Sequence, residues 1–245
     1  MTKDKKVVIL SAKRTPIGKF LGAFGSLSAP HLASFAIKSA IKESLINKSE
    51  LDYAIMGNVL SAGVGQAPAR QALIYSGVSS SISAITVNKV CASGLMSVIL
   101  GSQMIKSGDV NVVLSGGMEN MSRAPHIMND SRTDGKLGNK ILEDSMIKDG
   151  LWCVFNDLSM GVLAEKTADK FGVTRIDQDN YAVTSHQRAI SAINSGMFSS
   201  EIAPVIIENK KGKKEFIYDE GPRDDTTLEV LENLKSPFSK NGVAT

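Results

Sequence analysis

Residues 88–95 read Asn-Lys-Val-Cys-Ala-Ser-Gly-Leu and join a short apolar strand to a long apolar helix. Residues 85–87, Ile-Thr-Val, predict a buried strand, whereas the uncharged run 92–104 is too long for one. We therefore predict a fully buried helix over residues 92–104. Cys91 lies where the strand passes into this helix, and we expect it to take part in the first turn of the helix.

Cys91 is a candidate nucleophile because of this position. A cysteine at the start of a helix is near the positive end of the helix dipole and free N–H groups, and both favour a thiolate. The alternative is a small buried apolar residue, the environment in which free cysteine is commonest.

A stripe of small residues follows Cys91 along the predicted helix. Ser93, Ser97 and Gly101 are spaced four residues apart and so lie on one face, where another helix can approach closely. Because no second segment of the chain is as small and apolar, we expect this close neighbour to lie outside the chain.

Composition limits the classes of function. A chain of 245 residues with 42% hydrophobic residues forms one large or two medium domains. Its net charge of +3 is too small to suggest nucleic-acid binding. Cys91 and Cys153 are the two cysteines, so we expect no disulfide framework and no metal site. We find no uncharged apolar run of about 18 residues and no targeting pattern, and expect a cytoplasmic protein without membrane contact.

Strands alternate with helices in the first part of the chain, which predicts an α/β fold with a mainly parallel sheet. The predicted strands are 7–10, 53–59, 85–87 and 110–114, and the predicted helices are 30–47, 68–75 and 92–104. The pattern stops near residue 117, and we place a domain boundary at about residue 121, giving domains 1–121 and 122–245.

The second part is richer in charge and turn residues. We predict helices over 159–171 and 177–198, the latter capped by Asp177, and a hairpin whose basic tip, 209–214, is a solvated turn or a phosphate contact. Arg14 is predicted to tie its loop to a neighbouring segment or a partner subunit. His31, His126 and His186 are predicted to be structural or exposed.

Several motifs together make the whole chain similar to the thiolases, the family of acetyl-CoA acetyltransferases and 3-ketoacyl-CoA thiolases. They are Arg-Thr-Pro-Ile-Gly at 14–18, Asn-Lys-Val-Cys-Ala-Ser-Gly at 88–94, Gly-Gly-Met-Glu-Asn-Met-Ser at 116–122, Asp-Gly-Leu at 149–151 and Met-Gly at 160–161.

The resemblance implies a layered α/β fold of two similar halves with an inserted loop domain. Residues 1–121 would be the first half, which contains the nucleophile, and 122–245 the loop domain for coenzyme A binding and oligomerisation. The family's second half, with its Asn-Glu-Ala-Phe, Gly-His-Pro and Cys-x-Gly-Gly-Gly segments, is expected to be absent. The small-residue stripe would then pack on the counterpart helix of that half.

The resemblance also implies a chemistry. Cys91 would attack an acyl-CoA thioester and form an acyl-enzyme, which a second acetyl-CoA, deprotonated by a cysteine of the second half, converts to acetoacetyl-CoA. Coenzyme A and acetyl-CoA are thus expected as substrates and not as bound cofactors. The backbone N–H of Cys91 would donate to the oxyanion.

Binding roles follow from the same motifs. Arg223 matches an arginine at the adenine and phosphate end of coenzyme A, and Leu151 and Met160 match apolar residues over the pantetheine and acyl pocket. The alternatives are a surface arginine and two core residues. Ser159 is a further predicted substrate-binding residue. It stands where the biosynthetic branch usually has histidine, which weakens an acetyl-specific assignment.

Three other functions remain open. They are a degradative thiolase of broader chain length, a truncated fragment that binds coenzyme A or a partner without turnover, and a ketoacyl synthase acting on carrier-protein thioesters. The segments 122–245 and 116–120 argue against the synthase. Family members form dimers or tetramers, so we expect a homo-oligomer.

Overall fold

The computed structural model describes residues 6–133, 137–209 and 212–245, which form two compact units. The first unit holds the described residues up to Met146 together with Glu201–Glu220, and the second holds Ile147–Ser200 and Gly221–Thr245. The first unit therefore extends past the predicted boundary at residue 121, and the chain returns to it after residue 200.

The first unit is built around a three-stranded parallel sheet. Its elements are α1 (Ala29–Ser44), β1 (Tyr53–Gly57), α2 (Pro68–Tyr75), β2 (Ser83–Val87), α3 (Ser93–Ser107), β3 (Val113–Gly117), β4 (His126–Ile127), β5 (Glu143–Asp144), β8 (Val205–Asn209) and β9 (Gly212–Phe216), with 3-10 turns at Lys48–Glu50 and Met121–Arg123. The strand order is β2-β1-β3, with Ile55 level with Ile85 and Ser115. The predicted α/β class with a parallel sheet is confirmed.

The central strand β1 lies between α1 and α2 on one face of the sheet and α3 on the other. Ala54 and Met56 pack with Ile37 of α1 and Leu73 of α2 in the main apolar core. Gly57 points to the opposite face, where an added Cβ would lie 2.6 Å from the carbonyl carbon of Ser93 at the start of α3. The absence of a side chain at Gly57 therefore lets α3 begin directly against the sheet.

The prediction that the helix after Cys91 is fully buried was wrong. Its small residues Ser93, Ser97 and Gly101 are buried, but Leu95 is 65% exposed and Val98 and Ile99 are each more than 40% exposed. The predicted orientation of the stripe was also wrong, because it packs on the chain's own strands. The apolar face is the one left open.

The predicted strand 53–59 ends at Gly57 and 85–87 begins at Ser83, and the other two predicted strands differ more. Residues 7–10 form no strand, and Val8, Ile9 and Leu10 are exposed, because none of the described strands pairs with this segment. The third sheet strand is Val113–Gly117 and not 110–114, because the preceding turn is held by Asp52, which accepts the N–H groups of Asn111 and Val112 at 2.7 and 2.9 Å.

The helix after Cys91 also bears on the membrane expectation. Val90–Ser107 has the length and apolar composition of a membrane-spanning helix, the one segment with both in the described part of the chain. Core helices of globular proteins meet the same criteria, and one face of this helix packs on the sheet, so the composition alone does not indicate a span.

Arg14 links the start of the chain to the segment that returns after residue 200. Its guanidinium donates to Asp219 at 2.7 and 3.0 Å and to Glu201 at 2.6 Å, and its backbone N–H donates to the Glu201 carbonyl at 3.0 Å. The predicted structural role is confirmed, with partners in the same chain. The tip of the hairpin, at residues 210 and 211, lies outside the described residues.

The second unit is mainly helical. It contains a π-helical turn (Ile147–Leu151), β6 (Trp152–Cys153), β7 (Leu158–Ser159), α4 (Met160–Phe171), α5 (Arg175–Asn194) and α6 (Leu228–Glu232). Asp177 was wrongly predicted as the cap of α5. Thr174 is the N-cap and Asp177 is its partner in a capping box, so the helix starts two residues earlier.

The Arg14–Asp219 pair leads to a prediction on stability. Burial works to raise the pKa of the Asp219 carboxyl, but hydrogen bonds from Arg14 and the Ile17 N–H hold it below its ordinary value. The stabilisation is therefore present above the unfolded pKa of about 3.9 and is lost as pH falls through the lower folded pKa. Asp219→Asn should lower the free energy of unfolding at pH 7 by about 1–3 kcal/mol, measured by urea titration.

The difference from wild type should shrink below about pH 4. Glu208→Gln is the matched control, since the Glu208–Lys213 pair is exposed and 3.6 Å apart, and should leave stability nearly unchanged. An effect of Asp219→Asn that is no larger than that of the control would refute this role.

Candidate active site

Three chemically useful residues follow the three parallel strands at one edge of the sheet. Asn58 comes directly after β1, Cys91 follows β2 by four residues, and Glu119 follows β3 by two. The carboxyl ends of parallel strands lie at the same edge, and in open α/β sheets ligands bind outside that edge. The sheet thus places Cys91 where a ligand can reach it.

The loop that presents Cys91 is closed by short hydrogen bonds. The Ser93 hydroxyl donates to the Val90 carbonyl at 2.6 Å and accepts the Lys89 N–H at 2.8 Å. The Val90 N–H donates to the Asn88 side chain at 2.9 Å. Val90 has a φ of 48°, an outlier for a β-branched residue, and these contacts hold it there.

Cys91 is exposed and lies two residues before the first residue of α3, not within its first turn as predicted. The N-cap residue of the helix, Ala92, makes no side-chain capping bond. The N-cap side chain therefore satisfies none of the free backbone N–H groups at the start of α3, next to Cys91.

Asn58, which is buried, and Glu119, which is half-buried, form a polar pair beside this loop that sequence reasoning missed. The Asn58 amide nitrogen donates to Glu119 at 2.8 Å and to the Met118 carbonyl at 3.2 Å, and Glu119 also accepts the N–H groups of Val59 and Leu60. Burial raises the pKa of Glu119, although these hydrogen bonds oppose the shift. Polar residues directly after apolar parallel strands were the available signal.

The Asn58 oxygen is buried and has no hydrogen-bond partner among the residues that the structure describes. Both partners of the amide nitrogen are acceptors, so the amide orientation is unambiguous. The backbone N–H of Asn58 donates to the Val87 carbonyl at 3.1 Å. Asn58 therefore lies next to the base of the Cys91 loop.

The second unit brings together Leu151, Ser159 and Met160. Trp152 pairs with Ser159 in the β6–β7 ladder, so Leu151 and Met160 flank the same end of it. Met160 is exposed and Leu151 is half-buried. The Ser159 hydroxyl accepts the Val162 N–H at 3.3 Å and caps α4. This structural role was not predicted, and the predicted substrate contact of Ser159 stays a prediction.

Arg223 lies at a separate place in the second unit, on the wall of a cleft of about 580 Å³. One helical face of α5 forms the other wall. The lining side chains are Gln187, Ile190, Ser191, Asn194, Arg223, Asp224 and Thr226, with Ser195. The spacing of 187, 190, 191 and 194 on a helix was the signal that sequence reasoning missed. A volume of this size is in the range of small-molecule sites.

The three histidines have different surroundings. His31 stacks on Tyr75 with ring centroids 3.8 Å apart, and His126 lies in β4. His186 accepts the Arg223 N–H at its Nδ1 atom, at 3.0 Å, and so has a specific contact beside the cleft. Within residues 6–133, 137–209 and 212–245, no group of three His, Cys, Asp or Glu could hold a metal ion.

Known proteins match the chain along nearly its whole length. The thiolase N-terminal domain family matches residues 7–245. The chain is 45% identical over 240 residues to an acetyl-CoA acetyltransferase of Pseudomonas aeruginosa and 46% identical over 241 residues to a probable acetyl-CoA acetyltransferase of Escherichia coli. It is also 46% identical to a probable acetyl-CoA acyltransferase of Staphylococcus aureus. These matches cover 98% of this chain and 61% of each relative. The chain belongs to the thiolase N-terminal domain family.

Proposed function

We propose that this chain is the nucleophile-bearing part of a thiolase-type acyltransferase that forms or cleaves acetoacetyl-CoA. The observation that supports this most is the exposed Cys91, presented on a hydrogen-bonded loop at the carboxyl edge of a parallel sheet. The names of the relatives, acetyl-CoA acetyltransferase and acyltransferase, agree with this chemistry.

In the proposed reaction the Cys91 thiolate attacks the carbonyl carbon of acetyl-CoA. A new C–S bond forms to Cys91, the C–S bond to coenzyme A breaks, and coenzyme A leaves as a thiolate that then takes up a proton. The α-carbon of a second acetyl-CoA, after losing a proton to a base, attacks the acyl-enzyme and releases the Cys91 thiolate with acetoacetyl-CoA. The Cys91 N–H stabilises the oxyanion, a contribution of about 3 kcal/mol.

Coenzyme A is proposed to bind to the second unit as a substrate. Arg223 supplies a planar cation that suits phosphate oxygens, at a cleft that also contains Gln187, Ser191 and Asn194. Leu151 and Met160 provide apolar surface at the β6–β7 ladder for the pantetheine and acyl chain.

The remaining catalytic groups are proposed to lie outside these 245 residues. The chain spans 61% of the length of the relatives it matches, and Leu95, Val98 and Ile99 leave an open apolar face on α3. The base that deprotonates acetyl-CoA and a second oxyanion donor would come from the part of the fold that covers this face.

A thiolase of broader chain length is the second candidate. It is favoured by Ser159, whose hydroxyl caps α4 at the position where the biosynthetic branch usually has histidine. A relative from Staphylococcus aureus is called a probable acyltransferase, a name that does not specify the acetyl group.

Acyl transfer to Cys91 tests the proposal directly. Incubated with acetyl-CoA, the chain should gain an acetyl group on the peptide that contains Cys91, detected by mass spectrometry and absent from Cys91→Ala. Cys153 is the internal control. Preferential labelling by octanoyl-CoA in competition would favour the second candidate, and acylation of Cys153 with none on Cys91 would exclude this nucleophile.

For the 245-residue chain by itself a homo-oligomer is also proposed, because the open apolar face of α3 then lacks the cover of the remaining fold and such faces are rare on monomers. Sedimentation velocity should show a dimer or a larger species. The double variant Leu95→Ser/Val98→Ser should increase the monomer fraction, because both side chains belong to this face. A monodisperse wild-type monomer at all concentrations would count against the proposal.

A further inference from the structure

We propose that His186 is a positioning residue for Arg223 and thereby for the nucleotide end of coenzyme A. The inference rests on the proposed coenzyme role of Arg223 and deepens it. His186 itself makes no contact with the ligand. The imidazole acts by fixing the backbone from which the Arg223 side chain extends.

The hydrogen bond defines the state of the imidazole ring. Because the Arg223 N–H is a donor, the Nδ1 atom 3.0 Å away must be unprotonated, and in the neutral ring the hydrogen is on Nε2. An imidazolium has no acceptor atom. The contact is therefore made only by the neutral Nε2–H form of His186.

The two ends of this contact differ in rigidity. His186 lies in the middle of α5, a 20-residue helix that begins with a capping box. Arg223 lies in an irregular segment, and its side chain is 63% exposed, with a long ion-pair distance of 3.6 Å to Asp225. The ion pair thus holds the guanidinium only weakly. The hydrogen bond from the Arg223 backbone N–H to the rigid helix is the stronger constraint on where this residue lies.

The contact also joins the two walls of the cleft. Gln187, the residue after His186, lines one wall, and Arg223, Asp224 and Thr226 line the other. Thr226, three residues further on, is buried. The loop is thus fixed at Arg223 itself by His186 and packed against the protein at Thr226, so that the cleft is formed before ligand binds.

Covalent geometry supplies a matched pair of variants. The Oδ1 atom of asparagine is attached to Cγ, as Nδ1 is in histidine, so His186→Asn keeps an acceptor at nearly the same place. The Oε1 atom of glutamine is one bond further from the backbone and corresponds to Nε2. His186→Gln therefore has the same functional group but presents its acceptor in the wrong place.

Binding of coenzyme A to the 245-residue chain, measured by calorimetry, tests the inference. His186→Asn should have a Kd within about twofold of wild type, whereas His186→Gln should bind about fivefold more weakly, the effect of one lost hydrogen bond. In an Arg223→Ala background, His186→Gln should cause no further loss, because His186 acts through Arg223.

Three results would overturn the inference: equal affinity of His186→Gln and wild type, equal weakening by both variants, or a full additional loss in the Arg223→Ala background. Urea titration of each variant separates these effects from unfolding. Failure of the folded wild-type chain to bind coenzyme A would instead remove the proposed coenzyme site, and this inference with it.

Discussion

The position of Cys91 depends on how closely α3 approaches the sheet. The Ser97 hydroxyl lies 2.6 Å from the Gly94 carbonyl of its own helix and 2.8 Å from the Gly116 carbonyl of β3, and shares its one hydrogen between them. The Ser115 hydroxyl donates to the Ser97 carbonyl at 3.0 Å, so helix and strand are hydrogen-bonded to each other through small side chains. At the start of the helix, Cβ atoms added to Gly57 or Gly117 would lie 2.6 and 3.2 Å from its backbone. A larger residue on either surface would push the helix outward and move the Cys91 loop with it.

The sequence was sufficient to predict the elements whose signals are local. The helix at 68–75 was predicted to the residue, and the alternation of strands and helices correctly indicated a parallel sheet. Cys91 was selected as the candidate nucleophile because the motif around it is specific, and this role stays a prediction. Where Cys91 lies was less predictable, since α3 begins at Ser93, one residue later than predicted, and Cys91 lies outside its first turn.

What the sequence could not show depends on contacts between distant segments. Apolar composition does not reveal which face of α3 is covered, and here hydrogen bonds from Ser97 and Ser115 select the small face while Leu95 is left open. Residues 7–10 look like a strand, but pairing needs a partner edge. The positions of Asn58 and Glu119 after their strands carried a signal in the sequence, but their hydrogen bond, and that of His186 to the Arg223 N–H, depend on segments far apart in the chain.

The most direct test of this account compares the two faces of α3. Gly101 is buried, and even a Cβ atom there would lie 2.6 Å from the Ser115 hydroxyl, whereas Leu95 on the open face is mostly exposed. In urea titrations, Gly101→Val should lower the free energy of unfolding by about 2 kcal/mol or more, and Leu95→Ser should change it by less than about 0.5 kcal/mol. If Leu95→Ser proves the more destabilising of the two, the small face does not pack on the sheet and the account of the Cys91 loop is wrong.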